Sequence, residues 1–219
     1  MSESGGAVTA AELAPPAAWV AQAGGDRVRV MTGLTTFLGR AYLCGPALTC
    51  ACVPGDSLAM HAAIYHAPPG AIVVCDGGGT SRTALIGEFV ATEAASRGLG
   101  GIVLEGLARD ADDIDRLGFP LLCSGTTPAR PARASLLSVG QPVVVGKVLV
   151  RTGDQIVADR DGAVVVPAAS WPAVRAEAAA LAGPEETRRR RLAAGERLAD
   201  ILGLDLAAYR PTSSPGPTG

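Results

Sequence analysis

The sequence predicts an α/β fold with central βαβ units, and three observations carry that prediction. Short, continuous apolar runs alternate with segments of helical spacing. Turns rich in Gly and Pro separate them. The apolar residues make up 48% of the chain and aromatics only 4%, so the core is built from small aliphatics, as in a sheet covered on both faces.

In chain order, residues 1–15 are small and polar and read as a flexible arm, or as a short helix at 9–14. Residues 48–53 read as a strand. Gly55-Asp56-Ser57 then offers a cap to a helix over 57–66. Pro68-Pro69-Gly70 turns the chain into a buried strand over 71–75, which Asp76-Gly77-Gly78-Gly79 ends. Residues 81–97 have helical spacing: Leu85, Phe89 and Ala95 lie near one face, and Glu93 and Arg97 are paired four apart. Gly98 stops that helix. Strands at 101–104 and 120–123 flank a short acidic helix at 111–117. At least two βαβ crossovers result, expected to be right-handed, with active residues expected beyond the carboxyl ends of the strands.

After Pro131 the texture turns to β. Residues 143–150 and 155–158 are strand-like, and Asp161-Gly162 is a hairpin turn into 163–166. A helix begins near Ser170, and another over 185–202 carries the basic run Arg188 to Arg191. One domain over 16–210 is expected, with a Pro- and Ser-rich disordered tail over 211–219.

Composition narrows the function. A net charge of −2 offers no global field for nucleic acid or anionic lipid. No aromatics interleave the basic run, which reads as a solvated helix face or a subunit contact. The five cysteines are odd in number, lack a Cys-x-x-Cys pair and mostly sit in apolar runs, so they read as reduced and buried; a cytoplasmic location follows. No signal-peptide pattern is present, and no apolar run approaches the roughly 20 residues of a membrane span.

The informative segment is 76–110. If the βαβ reading holds, Glu88 at a helix start and Arg109-Asp110 after the next strand share one edge of the sheet. N–H groups at a helix start hold carboxylates. A carboxylate such as Asp110 holds a hard divalent cation, partly through water. A guanidinium such as Arg109 pairs with an oxygen that becomes negative in the transition state. Together they would stabilise an enolate beside a 2-oxo acid, making retro-aldol cleavage or decarboxylation feasible. Each feature also has a structural reading. An Arg-Asp pair at a strand end is commonly a solvated loop, Glu88 a helix-dipole acid, and Gly77 to Gly79 a tight turn. His61 and His66 are five apart, the wrong spacing for a two-histidine metal face, and no Gly-x-Ser-x-Gly elbow occurs.

Taken together, Gly55-Asp56-Ser57-Leu58-Ala59-Met60-His61, Asp76-Gly77-Gly78-Gly79, Gly87-Glu88 and Gly106-x-x-Arg109-Asp110 resemble the RraA-like family, over about 45–167. That family includes class II 4-hydroxy-4-methyl-2-oxoglutarate aldolases, which also decarboxylate oxaloacetate, and a regulator of ribonuclease activity. The resemblance implies a layered α/β/β sandwich of the swivelling-domain type. It implies that Asp110 anchors Mg2+ or Mn2+, mostly through water, and that Glu88 orients metal-bound water. It implies that Arg109 holds the ketone and enolate oxygen, and that the amides of Phe89 and Val90, with Gly87, receive the pyruvyl carboxylate. A C-terminal acid of a neighbouring subunit, Glu185 or Glu186, would reach the metal of a homotrimer or hexamer. Glu88 replaces the Asp of the best-known members, which leaves open which 2-oxo acid is the small-molecule substrate. Two other readings share the scaffold: a non-catalytic regulator of RNA-processing machinery, and a lyase or hydratase acting on a different acid.

Overall fold

The computed structural model describes residues 15–79, 82–206 and 209. Apart from residue 15, the expected arm, its helix at 9–14 and the tail lie outside these. The chain forms two compact units, one ending at Ala179 and one starting at Ala180; the single domain expected over 16–210 spans both.

The first unit runs α1 (Ala17–Gly24), β1 (Arg29–Val30), β2 (Thr36–Leu38), β3 (Tyr42–Cys52), α2 (Leu58–His66), β4 (Ile72–Asp76), β5 (Ala84–Ile86) and α3 (Glu88–Ser96). It continues through β6 (Gly101–Ala108), α4 (Ala111–Leu117), β7 (Leu121–Thr126), β8 (Leu136–Val139), β9 (Val143–Val145), β10 (Val148–Val150), β11 (Gln155–Asp159), β12 (Gly162–Val166) and α5 (Trp171–Ala180). The large sheet has the order β1-β12-β11-β3-β4-β6-β7-β2, with β5 added to β6 and β8 to β3.

β3 is the pivot of this sheet. Residues 42–46 pair antiparallel with β11, and residues 47–51 pair parallel with β4. Pro46, which lacks an N–H, sits where one partner gives way to the other. The parallel strands β4, β6 and β7 follow in register, Ile72 opposite Gly101 and Ile102 opposite Leu121. Their residues alternate between two cores. Val73, Cys75, Ile102 and Leu104 face the layer of α2, α3 and α4 with Met60, Ile64, Ala91 and Ile114. Ile72, Val74 and Val103 face a second layer with Val143, Val145, Val150, Ile156 and Val165. This is the expected α/β/β arrangement, and it explains why β4 reads as an unbroken apolar run: both of its faces are buried. Each such Val, Ile or Leu contributes roughly 1.5–3 kcal/mol on burial. A third cluster joins α1 and α5 to the far face of β11 and β12, through Val20, Val157, Val164 and Val174.

Several local expectations are corrected. The predicted helix over 81–97 is a three-residue strand, β5, followed by α3; Ala84, Leu85 and Ile86 are buried and pair with β6 rather than turning on a helix face. Arg97 does not pair with Glu93 but donates to the carbonyls of Ile64 and Tyr65 at the end of α2. The strand predicted over 143–150 is the hairpin β9–β10, because Gly146 and Lys147 both take left-handed φ angles of 58° and 64°. β3 and β6 are longer than predicted, and α1, β1, β2 and β8 carry too few patterned residues to be read locally. All five cysteines are free, and four of them are buried.

In the second unit the helix predicted over 185–202 is two: α6 (Ala182–Ala193) and α7 (Leu198–Ile201). Gly195, at φ 89°, separates them. The basic run is paired within this unit, Arg188 with Glu185, Arg189 with Glu186 and Arg191 with Glu196. Among the described residues, no helix is long and apolar enough to cross a membrane.

Candidate functional site

β5 builds the site. Ala84 pairs with Leu107 and Ile86 with Ala108, so the chain leaving β5 runs alongside the carboxyl end of β6. The Arg109 N–H donates to the Ile86 carbonyl at 3.0 Å, and the Thr127 N–H donates to the Ala108 carbonyl at 2.8 Å. These bonds lock three segments together: the start of α3, the Arg109-Asp110 corner and the loop after β7. The two sequence-distant groups therefore meet, as the βαβ reading expected.

Gly87 allows the close approach. Its backbone is extended (φ −142°, ψ −172°), which any residue adopts. A Cβ there, however, would lie 2.5 Å from Asp110 Oδ2 and 3.0 Å from Arg109 Cγ and Nε. The missing side chain is thus a requirement of space, not of φ.

Asp110 itself is held at φ 56°, ψ 43°, the left-handed region that costs an L-residue about 1–2 kcal/mol and that Asp tolerates better than most. Its carbonyl starts α4 by accepting from Asp113 and Ile114. Its Oδ2 accepts the Glu88 N–H at 3.2 Å and stands 3.4 Å from Arg109 Nε. The carboxylate so bridges the start of α3 and the guanidinium. Strain of this kind at a polar, partly exposed corner marks candidate functional positions. At the start of α3 the Val90 N–H donates to the Gly87 carbonyl at 3.1 Å. The Phe89 amide makes no backbone hydrogen bond among the described residues. Phe89 is 78% exposed.

Arg109 lines two hollows. One, of about 320 Å3, is bounded by Arg109, Asp110, Ala111, Thr126, Thr127 and Pro128, and is large enough for a small acid. The other, of about 30 Å3, has room for a water or two; its walls include Gly87, Phe89, Val90, Ser57, His61 and Arg133. His61 and Arg133 were not predicted for the site. His61 lies within the Gly55-to-His61 motif, which was the available signal. Arg133 comes from an unpatterned loop and had none.

That loop is pinned by Asp56. Its Oδ1 accepts the Leu58 N–H at the start of α2, and its Oδ2 accepts the N–H groups of Ala134 and Ser135 at 2.7 and 2.9 Å. The Leu58 bond first, then those to Ala134 and Ser135, hold the Asp56 carboxyl below its ordinary value of 3.8, against burial, which raises it. A depressed carboxyl adds stability that is present above 3.8 and lost as the pH falls through the lower folded value. Asp56→Asn is therefore expected to melt earlier than wild type at pH 7, with the gap closing below about pH 4. Thermal midpoints across pH check this, and a gap independent of pH would refute it.

Gly77 to Gly79 form a turn closed on the protein itself: the Gly77 N–H donates to the Glu105 carbonyl and the Gly78 N–H to Asp76 Oδ1. Glu185 and Glu186 stand in α6 beside Arg188 and Arg189. No group of three or more His, Cys, Asp or Glu side chains suited to a metal occurs among the described residues. Asp110 alone, facing a hollow lined by two threonines, suits a cation that keeps most of its waters, as Mg2+ does, and does not suit a closed cage of protein ligands.

Residues 17–165 match the family model described as RraA-like, Aldolase/RraA. A protein of Halalkalibacterium halodurans, provisionally named 4-hydroxy-4-methyl-2-oxoglutarate aldolase, is 36% identical over 146 residues, covering 67% of this chain and 70% of its own. Among solved structures, Streptomyces coelicolor RraAS2 is described as an unusual member of the RNase ES inhibitor RraA protein family. It is 30% identical, with a TM-score of 0.71 over 80% of this chain and 91% of its own. The RNA-processing inhibitor RraA from Thermus thermophilis is 26% identical, with a TM-score of 0.66 over 71% and 94%.

Proposed function

The chain belongs to the RraA-like family, and from that premise we propose that it is a divalent-metal-dependent carbon–carbon lyase acting on a 2-oxo acid. 4-Hydroxy-4-methyl-2-oxoglutarate and oxaloacetate are the substrates of choice. The observation that carries this reading is the junction of Arg109, Asp110 and the start of α3, where an open amide, a guanidinium and a carboxylate converge.

In this reading the substrate carboxylate sits at the α3 start, on the Phe89 N–H with the Val90 N–H beside it and Gly87 leaving the room. Arg109 donates to the 2-oxo oxygen and holds it as charge develops there. Asp110 would hold Mg2+ or Mn2+, largely through water, with Glu88 orienting a bound water. The cation supplies Lewis-acid stabilisation of that charge. The electron pair of the broken carbon–carbon bond is then stored as a pyruvate enolate until its carbon takes a proton. A homotrimer or hexamer, with Glu185 or Glu186 of a neighbouring subunit completing the metal shell, belongs to the same proposal.

The test is pyruvate release from both substrates, with Mg2+ or Mn2+ and with a chelator. Release that requires metal is expected; no release from either substrate by folded protein overturns the reading. Arg109→Lys is expected to lower turnover about 10²-fold, because an ammonium cannot reproduce the guanidinium fork. Near wild-type turnover in that variant would remove Arg109 from the mechanism.

A second reading, a regulator of RNA-processing machinery, is favoured by the descriptions of the Streptomyces and Thermus relatives. A purely regulatory surface has no need of the strained Asp110 or of Gly87 packed against it. Binding to a ribonuclease in the absence of lyase activity would decide for it.

A further inference from the structure

The mechanism above leaves the buried Nε2 of His61 unexplained. His61 lies in the middle of α2, and its Nε2 is buried with no hydrogen-bond partner among the described residues. A buried polar atom left unpaired costs about 1–3 kcal/mol. Such an atom commonly marks a place kept for a ligand or for chemistry. His61 also lines the same small hollow as Arg109, Gly87, Phe89 and Arg133. His61 thus carries a polar atom without a protein partner and lines a hollow shared with the residue assigned to the ketone oxygen.

We propose that His61 Nε2 holds a water that this hollow has room for and, through it, accepts the proton of the 4-hydroxyl group on the half of the substrate that departs. The inference rests on the lyase reading and deepens it: the preferred substrate class is a 4-hydroxy-2-oxo acid. In the Nδ1–H tautomer, Nε2 offers a lone pair to that water, which in turn accepts from the hydroxyl. As the O–H proton passes to the water and a proton of the water passes to Nε2, the C3–C4 bond breaks and the hydroxyl oxygen becomes the carbonyl of the departing product. The bonding pair becomes the enolate of the retained pyruvate, with its oxygen on Arg109. The imidazolium then returns its proton to water as the enolate carbon takes one, so atoms and charge balance.

The surroundings suit this role. Burial, and then the nearby Arg133 charge, lower the affinity of His61 for a second proton, while Glu93 on α3 opposes them. Arg109 lines the same hollow. The imidazole is therefore neutral and ready to accept at pH 7. Arg133, which also lines this hollow, supplies a positive charge that would draw a second carboxylate of the departing half. Oxaloacetate loses carbon dioxide with no hydroxyl proton to remove, so its decarboxylation does not need His61.

The test compares wild type, His61→Phe and His61→Gln on a 4-hydroxy-2-oxo acid and on oxaloacetate, with thermal midpoints. The expected result is a loss of about 10²-fold or more in cleavage of the hydroxy acid. Decarboxylation should stay within about threefold of wild type, and the Phe variant should melt no earlier than wild type, since it removes an unpaired polar atom. The wild-type pH profile for cleavage should show an acid limb below 6.5 that the decarboxylation profile lacks. Unchanged cleavage, or equal loss of both activities in a folded variant, overturns the role of His61. A wild-type protein that processes neither substrate overturns the lyase reading instead, and this proposal with it.

Discussion

Asp110→Ala is expected to abolish metal-dependent pyruvate release, with a loss of about 10³-fold or more. A bound cation contributes several kcal/mol to the stabilisation of an enolate-like transition state. At about 1.4 kcal/mol per tenfold in rate, that amounts to roughly three decades. Asp110 is the acid among the described residues that line the larger hollow. The Ala variant alone is ambiguous, because Asp110 also closes a corner of the fold. It occupies a left-handed conformation and accepts the Glu88 N–H. Asp110→Asn separates the two roles. Asn tolerates the left-handed region and keeps an oxygen for that amide, but it carries no charge. Both variants should lose turnover and metal binding, while the Asn variant melts closer to wild type. An Asn variant that turns over substrate at the wild-type rate would show that the charge of Asp110 is not used.

Gly87→Ala is expected to reduce turnover about 10²-fold while the protein stays folded. The added methyl group would meet Asp110 Oδ2 at 2.5 Å and the Arg109 side chain at 3.0 Å. These distances are too short for van der Waals contact, so the carboxylate and the guanidinium must move. A displacement near 1 Å at reacting groups costs about two decades in rate. Stability should change less, by about 1–3 kcal/mol, as for other insertions into a packed site. The extended backbone at Gly87 adds no conformational cost for Ala. The same variant should bind metal more weakly, because the Asp110 oxygen is the atom displaced. Kinetics with a melting curve check both parts. Unaltered kcat and metal affinity would mean that the corner relaxes around the methyl group, and that its exact geometry is not needed.

The alternation of short apolar runs and helical segments predicted a layered α/β unit because burial on both faces leaves a mark in every residue. Ile72 to Cys75 must all be apolar when one core takes Ile72 and Val74 and the other takes Val73 and Cys75. The acidic helix over 111–117 was legible for a local reason: its start and its stop at Gly118, in the left-handed region, are written in adjacent residues. The meeting of Glu88 with Arg109-Asp110 was also legible, since two parallel strands joined by a helix bring their carboxyl ends to one edge.

Tertiary contacts decided the remainder. Ala84 to Ile86 could have continued a helix by pattern; pairing with Leu107 and Ala108 made them a strand and placed Gly87 under Asp110. The partner change within β3 has no local signature, because it depends on β11, more than a hundred residues away. The unpaired Nε2 of His61 and the loop held by Asp56 are equally invisible in the chain. Sequence alone thus determined the layers and the identity of the charged corner, through periodicity and adjacency. Its shape, its second hollow and the groups that line it were decided by packing between residues far apart in the chain, because a contact of that kind leaves no periodic trace on either partner.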